Sequence, residues 1–314
     1  MKLVNKILTI FLLICSVVFS QTNKKNGTAG FTFLEIPASS RAAGLGEAFI
    51  ALSDVNSDAV FHNPAALGFT NRTHSLSVSY APYLVDIKNY ATSYAYKSPF
   101  GVFGIGLIML DYGTMPRTII EEGQKVFTSM GTFDANAIAL SFGYSKTLTD
   151  KFSFGVQLKY VQEKIDVYKA TNILLDAGML YFTGISSLRI AATLQNFGTD
   201  SKFIHDTFKM PATLRIGLAM EVLGGYSEDY RFTLITEALH PTDSDEKINI
   251  GTEISWKEIV TLRGGYKFFY DEESYNFGVG INPQLSMPIS LDFSYSDYGR
   301  LGDVTRFTLQ LGIF

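Results

Sequence analysis

The chain has 314 residues, of which 18% are charged and 14% aromatic, and its formal net charge is -4 at pH 7. This mild acidity excludes a basic surface for nucleic acid, so we expect no nucleic-acid partner. Mean hydropathy is +0.14, yet beyond the amino terminus no apolar run approaches the roughly 18 residues that a spanning helix needs. An apolar composition without apolar helices is typical of a membrane β-barrel, in which apolar and polar residues alternate.

The amino terminus has the three parts of a signal peptide. Lys2 and Lys6 form the positive region, residues 7–19 form a short apolar core, and Ser20 supplies a small residue at the expected cleavage site. We therefore predict a signal peptide at residues 1–20. The only cysteine, Cys15, lies inside it, so the mature chain is expected to have no thiol chemistry and no disulfide.

Residues 21–73 differ in composition from everything that follows. They are rich in glycine, alanine and serine, and the segment is too small to form a core alone. We predict a plug that packs inside a barrel lumen. Within it, residues 27–37 are predicted to be extended up to a proline, and residues 54–66 to form one or two short helices.

The rest of the chain, residues 74–314, alternates apolar and polar side chains. In one stretch Phe152, Phe154, Val156, Leu158 and Tyr160 are separated by Ser153, Gly155, Gln157 and Lys159. A period of two places the two sets on opposite faces of a β-strand. The pattern predicts fourteen strands, at 74–82, 89–98, 100–110, 136–147, 151–163, 170–182, 187–197, 211–223, 229–239, 245–256, 259–270, 273–282, 287–298 and 303–314.

The predicted fold is therefore an all-β, 14-stranded antiparallel transmembrane β-barrel with a small amino-terminal plug. With an even number of strands, the first strand begins and the last strand ends on the periplasmic side. Tight turns near residues 97–99, 148–150, 183–185 and 256–258 are assigned to that side. The longer links at 111–135 and 198–210 are predicted to be outer loops.

The strand faces opposite the apolar ones carry charged residues. This feature favours a membrane barrel over a soluble β-sandwich or propeller. The charged residues are Lys159, Arg189, Arg215, Glu221, Arg231, Glu237, Glu253, Arg263, Lys267 and Asp292. In a dry core each unpaired charge would cost several kcal/mol, whereas in a lumen it can pair or meet water. We expect Leu158→Arg, on the lipid face, to cost about 2–4 kcal/mol, and Lys159→Ala to cost much less.

Three segments of the plug resemble a known group of barrels. The segments 44–48, 54–58 and 61–67 look like the amino-terminal hatch of FadL-related barrels. Within that superfamily, Phe33-Leu34-Glu35-Ile36-Pro37 followed by residues 40–46 is similar to the PorV/PorQ family. The plug-motif residues that carry this resemblance are Arg41, Gly44, Gly46, Asn63, Pro64 and Ala65.

The resemblance implies an outer-membrane protein of a Gram-negative bacterium. PorV-like members shuttle secreted proteins in type IX secretion, and PorQ-like members work at surface attachment. The implied partners are outer-membrane lipid, secreted cargo proteins and other secretion-system subunits. More distant FadL relatives pass long-chain fatty acids or other hydrophobic small molecules through a lateral opening, which is the alternative function. Outer loops that look modest for a PorV member argue against direct cargo shuttling.

Local chemistry accounts for part of the plug motif. Asn63 can bond its own backbone and start a turn, and Pro64 fixes φ where a short helix begins. Ala65 and Ala66 let that turn lie close to the barrel wall. The motif either caps and packs the plug or takes a direct part in gating or ligand contact, and the first role is favoured.

Sites for catalysis, metals or cofactors are not evident in the sequence. The four histidines have no metal-ligand spacing, and no serine lies in a nucleophile elbow. Asp243, Asp245 and Glu246 are better explained as a solvated acidic turn than as a weak Ca²⁺ site. We therefore predict no enzyme activity and no cofactor; an outer-membrane hydrolase would need a serine–histidine pair at the outer rim.

Two structural roles remain for residues on the strands. Gly101, Gly104 and Gly106 are expected to let the plug approach the wall. Outward aromatic side chains are expected to form two interfacial girdles; they are Tyr80, Tyr94, Tyr96, Tyr160, Tyr266, Phe268 and Tyr295.

Overall fold

The computed structural model describes residues 27–120, 127–226, 228–283, 285 and 287–313. The predicted signal peptide and the terminal Phe314 lie outside these residues. Among the helices that are described, none has the length and apolarity needed to cross a membrane.

Fourteen antiparallel strands close into a barrel, because β1 pairs with both β2 and β16. The barrel strands are β1 (His74–Pro82), β2 (Lys88–Ser98), β3 (Gly101–Ile120), β4 (Phe127–Thr149), β5 (Phe152–Ile165), β6 (Tyr168–Phe182), β7 (Arg189–Phe197), β10 (Thr213–Leu223), β11 (Tyr230–Pro241), β12 (Lys247–Trp256), β13 (Val260–Phe268), β14 (Tyr275–Ile281), β15 (Ile289–Asp297) and β16 (Asp303–Ile313). Two further strands, β8 (Ser201–Lys202) and β9 (Thr207–Phe208), form a separate small hairpin. The predicted fold class is confirmed.

The predicted strand bounds hold except at one hairpin. Residues 111–135 were predicted to be an outer loop, and this is wrong, because β3 continues to Ile120 and β4 begins at Phe127. Bulges next to Gly113 (φ 73°) and Gly131 (φ 88°), together with Pro116, interrupt the alternation there. The other long link, 198–210, contains the β8–β9 hairpin.

Burial along the strands follows the predicted parity. On β5, Leu158 is 56% exposed on the outer face, while Lys159 is 7% exposed toward the lumen. Several predicted girdle residues are exposed on the outer face, among them Tyr80, Tyr94 and Tyr160. Apolar side chains therefore face lipid, and polar ones face the plug.

The plug is built from short turns rather than long elements. It contains two short helices, α1 (Ser40–Gly44) and α2 (Ala59–His62), and 3-10 turns at Thr32–Glu35, Asn56–Asp58 and Pro64–Phe69. Single 3-10 turns also occur outside the plug, at Leu84–Asp86 and Gly299–Leu301. The predicted short helices between residues 54 and 66 are confirmed.

The predicted extended piece at 27–37 is mostly wrong. Only Ala29 makes an isolated β-bridge, to Lys209, and the chain then turns. The turn lets Phe31 and Phe33 both bury their rings, with centroids 6.4 Å apart, against the lumen side of the wall. Burial of two large aromatic side chains outweighs the extended preference of the segment.

The plug runs through the lumen from one end of the barrel to the other. Near its start, the Gly30 N–H donates to the Lys209 carbonyl in the link between β7 and β10. Near its finish, the Lys97 N–H donates to the Thr73 carbonyl beside the β2–β3 turn. In an even-stranded barrel the first strand begins and the last strand ends at the periplasmic side. By this rule the β2–β3 turn is periplasmic and the β7–β10 link is on the outer side, so the plug begins at the outer mouth and ends at the periplasmic mouth.

Candidate functional site

Arg41 connects the plug to the barrel wall through a buried ion-pair network. The Ser39 hydroxyl accepts the Ala42 N–H at the start of helix α1, and the Arg41 side chain of this helix reaches Glu253 on β12. The Arg41 guanidinium donates from Nε and Nη2 to the two oxygens of Glu253, each at 3.0 Å, and from Nη2 to Asp54 Oδ2 at 3.0 Å. Every buried charge in this group thus has an opposite charge in contact, as burial requires.

Glu253 is the hub of this network. It also accepts from Arg263 Nε at 2.8 Å, and Arg231 Nη1 lies 3.5 Å away. Arg263 in turn contacts Asp292 at 2.5 Å. Four strands (β11, β12, β13 and β15) and the plug therefore share one set of charges.

Gly44 and Gly46 allow the chain to touch the wall backbone to backbone. A Cβ on Gly44 would lie 2.9 Å from the Cα of Gly278 on β14. Gly46 has φ +61°, and its Cβ would lie 3.1 Å from the Tyr266 nitrogen on β13. Both positions therefore favour glycine, one for space and the other for space and backbone conformation.

The Asn63-Pro64-Ala65 turn docks on the opposite wall. The Asn63 side chain accepts the Ala65 N–H at 3.0 Å, as predicted, and donates to the Ile50 carbonyl at 2.8 Å. Pro64 is the first residue of the following 3-10 turn. The Ala65 carbonyl accepts from the hydroxyls of Ser153 at 2.8 Å and Ser145 at 3.1 Å.

Glycines on the wall face this turn. A Cβ on Gly106 would lie 2.7 Å from a Val60 methyl carbon, and Gly104 also faces Val60 and Leu67, so the prediction for these two glycines is confirmed. The prediction for Gly101 is wrong. Its φ is +148°, and its neighbours are Tyr144 and the Ser145 carbonyl rather than the plug.

A third attachment joins the middle of the plug to β10, β11 and β13. The Glu237 carboxylate accepts the N–H groups of Phe49 at 2.9 Å and Ile50 at 3.2 Å. Arg215 pairs with Glu237 and donates to the Glu47 carbonyl at 3.0 Å. The Lys267 ammonium pairs with the Glu47 carboxylate.

Sequence reasoning identified the wall charges but missed their plug partners Glu47 and Asp54. Both acidic residues lie within the segments 44–48 and 54–58 that carry the family resemblance. A plug expected inside a charged lumen is the signal that could have identified them. The hydroxyls of Ser145 and Ser153 were also missed, because single serines on a lumen-facing row carry no distinctive pattern.

Lys159 has a larger role than its sequence position indicates. Its ammonium lies 2.9 Å from Asp176 Oδ2 and 2.6 Å from Asn196 Oδ1, and all three side chains are buried. The same carboxylate accepts the Asn196 N–H at 2.7 Å, next to the register shift between β6 and β7. The expectation that Lys159→Ala costs little is therefore revised, since the change would leave Asp176 buried without its cation.

Cavities lie on both sides of the plug. On the periplasmic side, a cavity of about 420 Å³ is lined mainly by polar and charged groups. Its lining includes Arg72, whose guanidinium pKa is lowered by burial, and Tyr226, whose phenol pKa is raised by burial. At the outer mouth, a cavity of about 390 Å³ is lined by Tyr83, Tyr270 and Tyr298 among others.

The plug core separates these cavities. Leu45, Phe49, Ile50 and Leu52 are buried between the two walls. Within the described part of the chain, no group of three or more histidine, cysteine, aspartate or glutamate residues is placed to hold a metal ion. The predicted solvated turn is wrong for Asp243, which is buried. The neighbouring Thr242 N–H donates to the Ala212 carbonyl at 3.0 Å.

The closed barrel with an amino-terminal plug defines an outer-membrane β-barrel with a FadL-like fold. Three solved structures share it. The Ralstonia pickettii toluene transporter TbuX has 13% identity and a TM-score of 0.61, covering 89% of this chain and 99% of its own. The Pseudomonas putida toluene transporter TodX has 13% identity and a TM-score of 0.59, covering 92% and 98%. The CymD monoaromatic hydrocarbon channel has 9% identity and a TM-score of 0.58, covering 89% and 98%.

The sequence profile of the family described as type IX secretion system protein PorV matches residues 19–179, more than half of the chain. This chain belongs to that family. Comparison with curated protein sequences gives no match. The protein is therefore located in the outer membrane of a Gram-negative bacterium. Its family associates the protein with type IX secretion.

Proposed function

We propose that this protein takes part in type IX secretion or in the surface attachment of secreted proteins, and that it acts through its outer surface rather than through its lumen. The observation that carries the proposal is the three-point attachment of the plug. Arg41 and Glu253, the Asn63–Ala65 turn, and Glu47 with Phe49 each bind a different part of the wall. A plug held against opposite walls of the barrel favours a docking role over conduction.

The outer surface carries a longer ordered element than the sequence alone indicated. The β3–β4 hairpin continues as paired strands to Ile120 and Phe127, past the point where its neighbours stop pairing. The modest outer loops were the reason to doubt contact with secreted proteins. The long hairpin removes that reason, and it supports secreted cargo proteins and other secretion-system subunits as partners.

Deletion of the gene tests this proposal. The proteins displayed on the surface of the deletion strain are labelled with a membrane-impermeant biotin reagent and compared with those of the parent and of the complemented strain. We expect display to fall in the deletion strain and to return on complementation. Unchanged display would contradict the proposal.

One observation favours a second candidate, a FadL-like channel for hydrophobic small molecules. In the outer half of the lumen, Phe31 and Phe33 pack against Ile108, Leu110 and Leu174 of the wall. Lumen-facing apolar residues of this kind could contact an apolar solute if the plug moved. Toluene uptake by the deletion strain distinguishes the two candidates, because the channel predicts slower uptake with unchanged surface display.

A further inference from the structure

The outer end of the β3–β4 hairpin stands clear of the barrel. β2 stops pairing with β3 at Asp111, and β5 stops pairing with β4 at Ala135. Beyond these points, the two strands pair with each other as far as Ile120 and Phe127, and the β5 side contributes one backbone bond, from the Asp166 N–H to the Asp134 carbonyl. We call this part the β3–β4 ribbon. Each of its strands has an outer edge that no other described strand covers.

The two edges of the ribbon differ. The β3 edge contains Pro116, and a proline within a strand keeps its nitrogen on the unpaired side and blunts that edge. The β4 edge has no proline, and its one charged residue, Asp134, accepts from the Thr114 hydroxyl at 2.7 Å. Arg117, the charged residue on the β3 side of the ribbon, lies 2.5 Å from Asp166. The β4 edge is therefore the one open to pairing, and it is nearly neutral.

The backbone of Thr132 points toward this open edge. Thr132 lies directly opposite Pro116 in the register. Since proline has no N–H to give, the two form a non-hydrogen-bonded pair, in which both residues direct their backbone groups away from each other. Asp134, two residues further along, has the same orientation, because its carbonyl accepts the Asp166 N–H on the β5 side at 3.0 Å. The backbone N–H and carbonyl of Thr132 therefore also face the β5 side, at a position beyond the end of β5 where no described strand pairs with them.

Exposed apolar side chains accompany this edge. Phe127 is 69% exposed, Met130 is 60% exposed and Ile120, across the ribbon, is 79% exposed. A solvent-exposed apolar edge strand is a template for another strand, with main-chain hydrogen bonds supplying affinity and side chains supplying selectivity. The lack of free charge fits a segment that is itself uncharged.

We propose that the β4 edge of the ribbon, centred on Thr132, binds an extended, uncharged segment of an exported protein by strand addition. The inference rests on the proposed function in secretion, and it assigns the contact to a particular backbone edge. Only an extended backbone presents donors and acceptors at the spacing that this edge requires.

Two substitutions at one position test the proposal in the full chain. Thr132→Pro removes the outward N–H, and the hydrogen bonds to β3 stay intact because Thr132 makes none to that strand. Thr132→Val keeps the N–H and the branched side chain, so it is the matched control. In the deletion strain, Thr132→Pro is expected to lower surface display of secreted proteins about tenfold, the equivalent of 1.4 kcal/mol, while Thr132→Val restores it.

A second variant guards against local misfolding of the ribbon. Met130→Lys leaves the backbone unchanged and puts a charge on the edge, which opposes strand addition. It is expected to lower display as Thr132→Pro does, while both variants reach the outer membrane in wild-type amounts as heat-modifiable barrels. Equal display by Thr132→Pro and Thr132→Val overturns the inference.

Two other outcomes can be told apart from the failure of strand addition. If deletion of the gene leaves display unchanged, the proposed function itself fails. If Thr132→Pro instead dissociates a homo-oligomer of the purified barrel that Thr132→Val retains, a second copy covers the edge, and the inference is overturned in favour of self-association.

Discussion

The guanidinium of Arg41 in the plug and the carboxylate of Glu253 on β12 form a two-point ion pair, with both nitrogen–oxygen distances at 3.0 Å. Paired, parallel hydrogen bonds of this kind are the most directional contacts that arginine makes with a carboxylate. The pair lies between the plug and the wall, so it couples plug seating to one barrel strand.

Loss of either partner is expected to loosen the plug. Arg41→Gln and Glu253→Gln should each lower the free energy of plug release by about 3 kcal/mol, because the remaining charges stay buried. The double variant should lose less than the sum, since the two residues interact directly. Hydrogen exchange of plug amides in urea measures this. Arg300→Gln, which removes an exposed pair with Glu272, is the control and should change little. Additive losses would show that the pair is not coupled.

A methyl group at Gly155 is expected to unseat the plug while the barrel stays folded. Its Cβ would lie 2.5 Å from the Ala65 nitrogen, a contact that requires backbone movement. Overpacking of this kind costs about 1–3 kcal/mol. Conductance of the purified barrel in planar bilayers should rise in Gly155→Ala.

Gly225→Ala is the matched control for this change. A Cβ at Gly225 would have no atom within 4 Å, so its conductance should equal that of the wild type. A wild-type conductance in Gly155→Ala as well would show that the contact does not hold the plug.

The lipid and lumen faces of β5 can be compared at two adjacent residues. Leu158→Arg should cost about 2–4 kcal/mol at mid-membrane. Lys159→Met should also cost about 3–5 kcal/mol, because it leaves the buried Asp176 carboxylate without its cation. Lys159→Met combined with Asp176→Leu should recover much of that loss. Folding titrations into lipid vesicles test the set. No recovery in the double variant would contradict the assigned ion pair.

The strand pattern was predictable because lipid and lumen impose opposite demands on alternate residues. Where both faces of a strand meet water, as in the β3–β4 ribbon, alternate residues no longer face different surroundings, and residues 111–135 were predicted to be a loop. Lys159 illustrates a second limit. Its lumen-facing parity was predictable, but its pairing with Asp176 and Asn196 depends on a register shift between β6 and β7 that alternation does not report.

The plug was predicted as a unit, and the Asn63-Pro64 turn followed from local backbone chemistry, whereas Gly44 and Gly46 were identified from the family resemblance. Its attachments were not, because Arg41 and Glu253 are 212 positions apart and only the closed barrel brings them together. The turn at Phe31 and Phe33 was also not predictable from composition, because burial of both rings in the lumen outweighs the extended preference of residues 27–37.

A covalently fixed plug tests most directly whether the protein works through its outer surface. The hydroxyls of Ser40 in the plug and Thr308 on β16 lie 2.9 Å apart, so a Ser40→Cys, Thr308→Cys pair is placed to form a disulfide in the oxidising periplasm. With Cys15 replaced by serine, no other cysteine is present. Surface display of secreted proteins is then measured in the deletion strain expressing this variant or Ser40→Cys alone. We predict wild-type display by both, with the disulfide formed in the double variant. Display restored by the single variant and lost in the disulfide-bonded one would contradict a role that leaves the lumen closed.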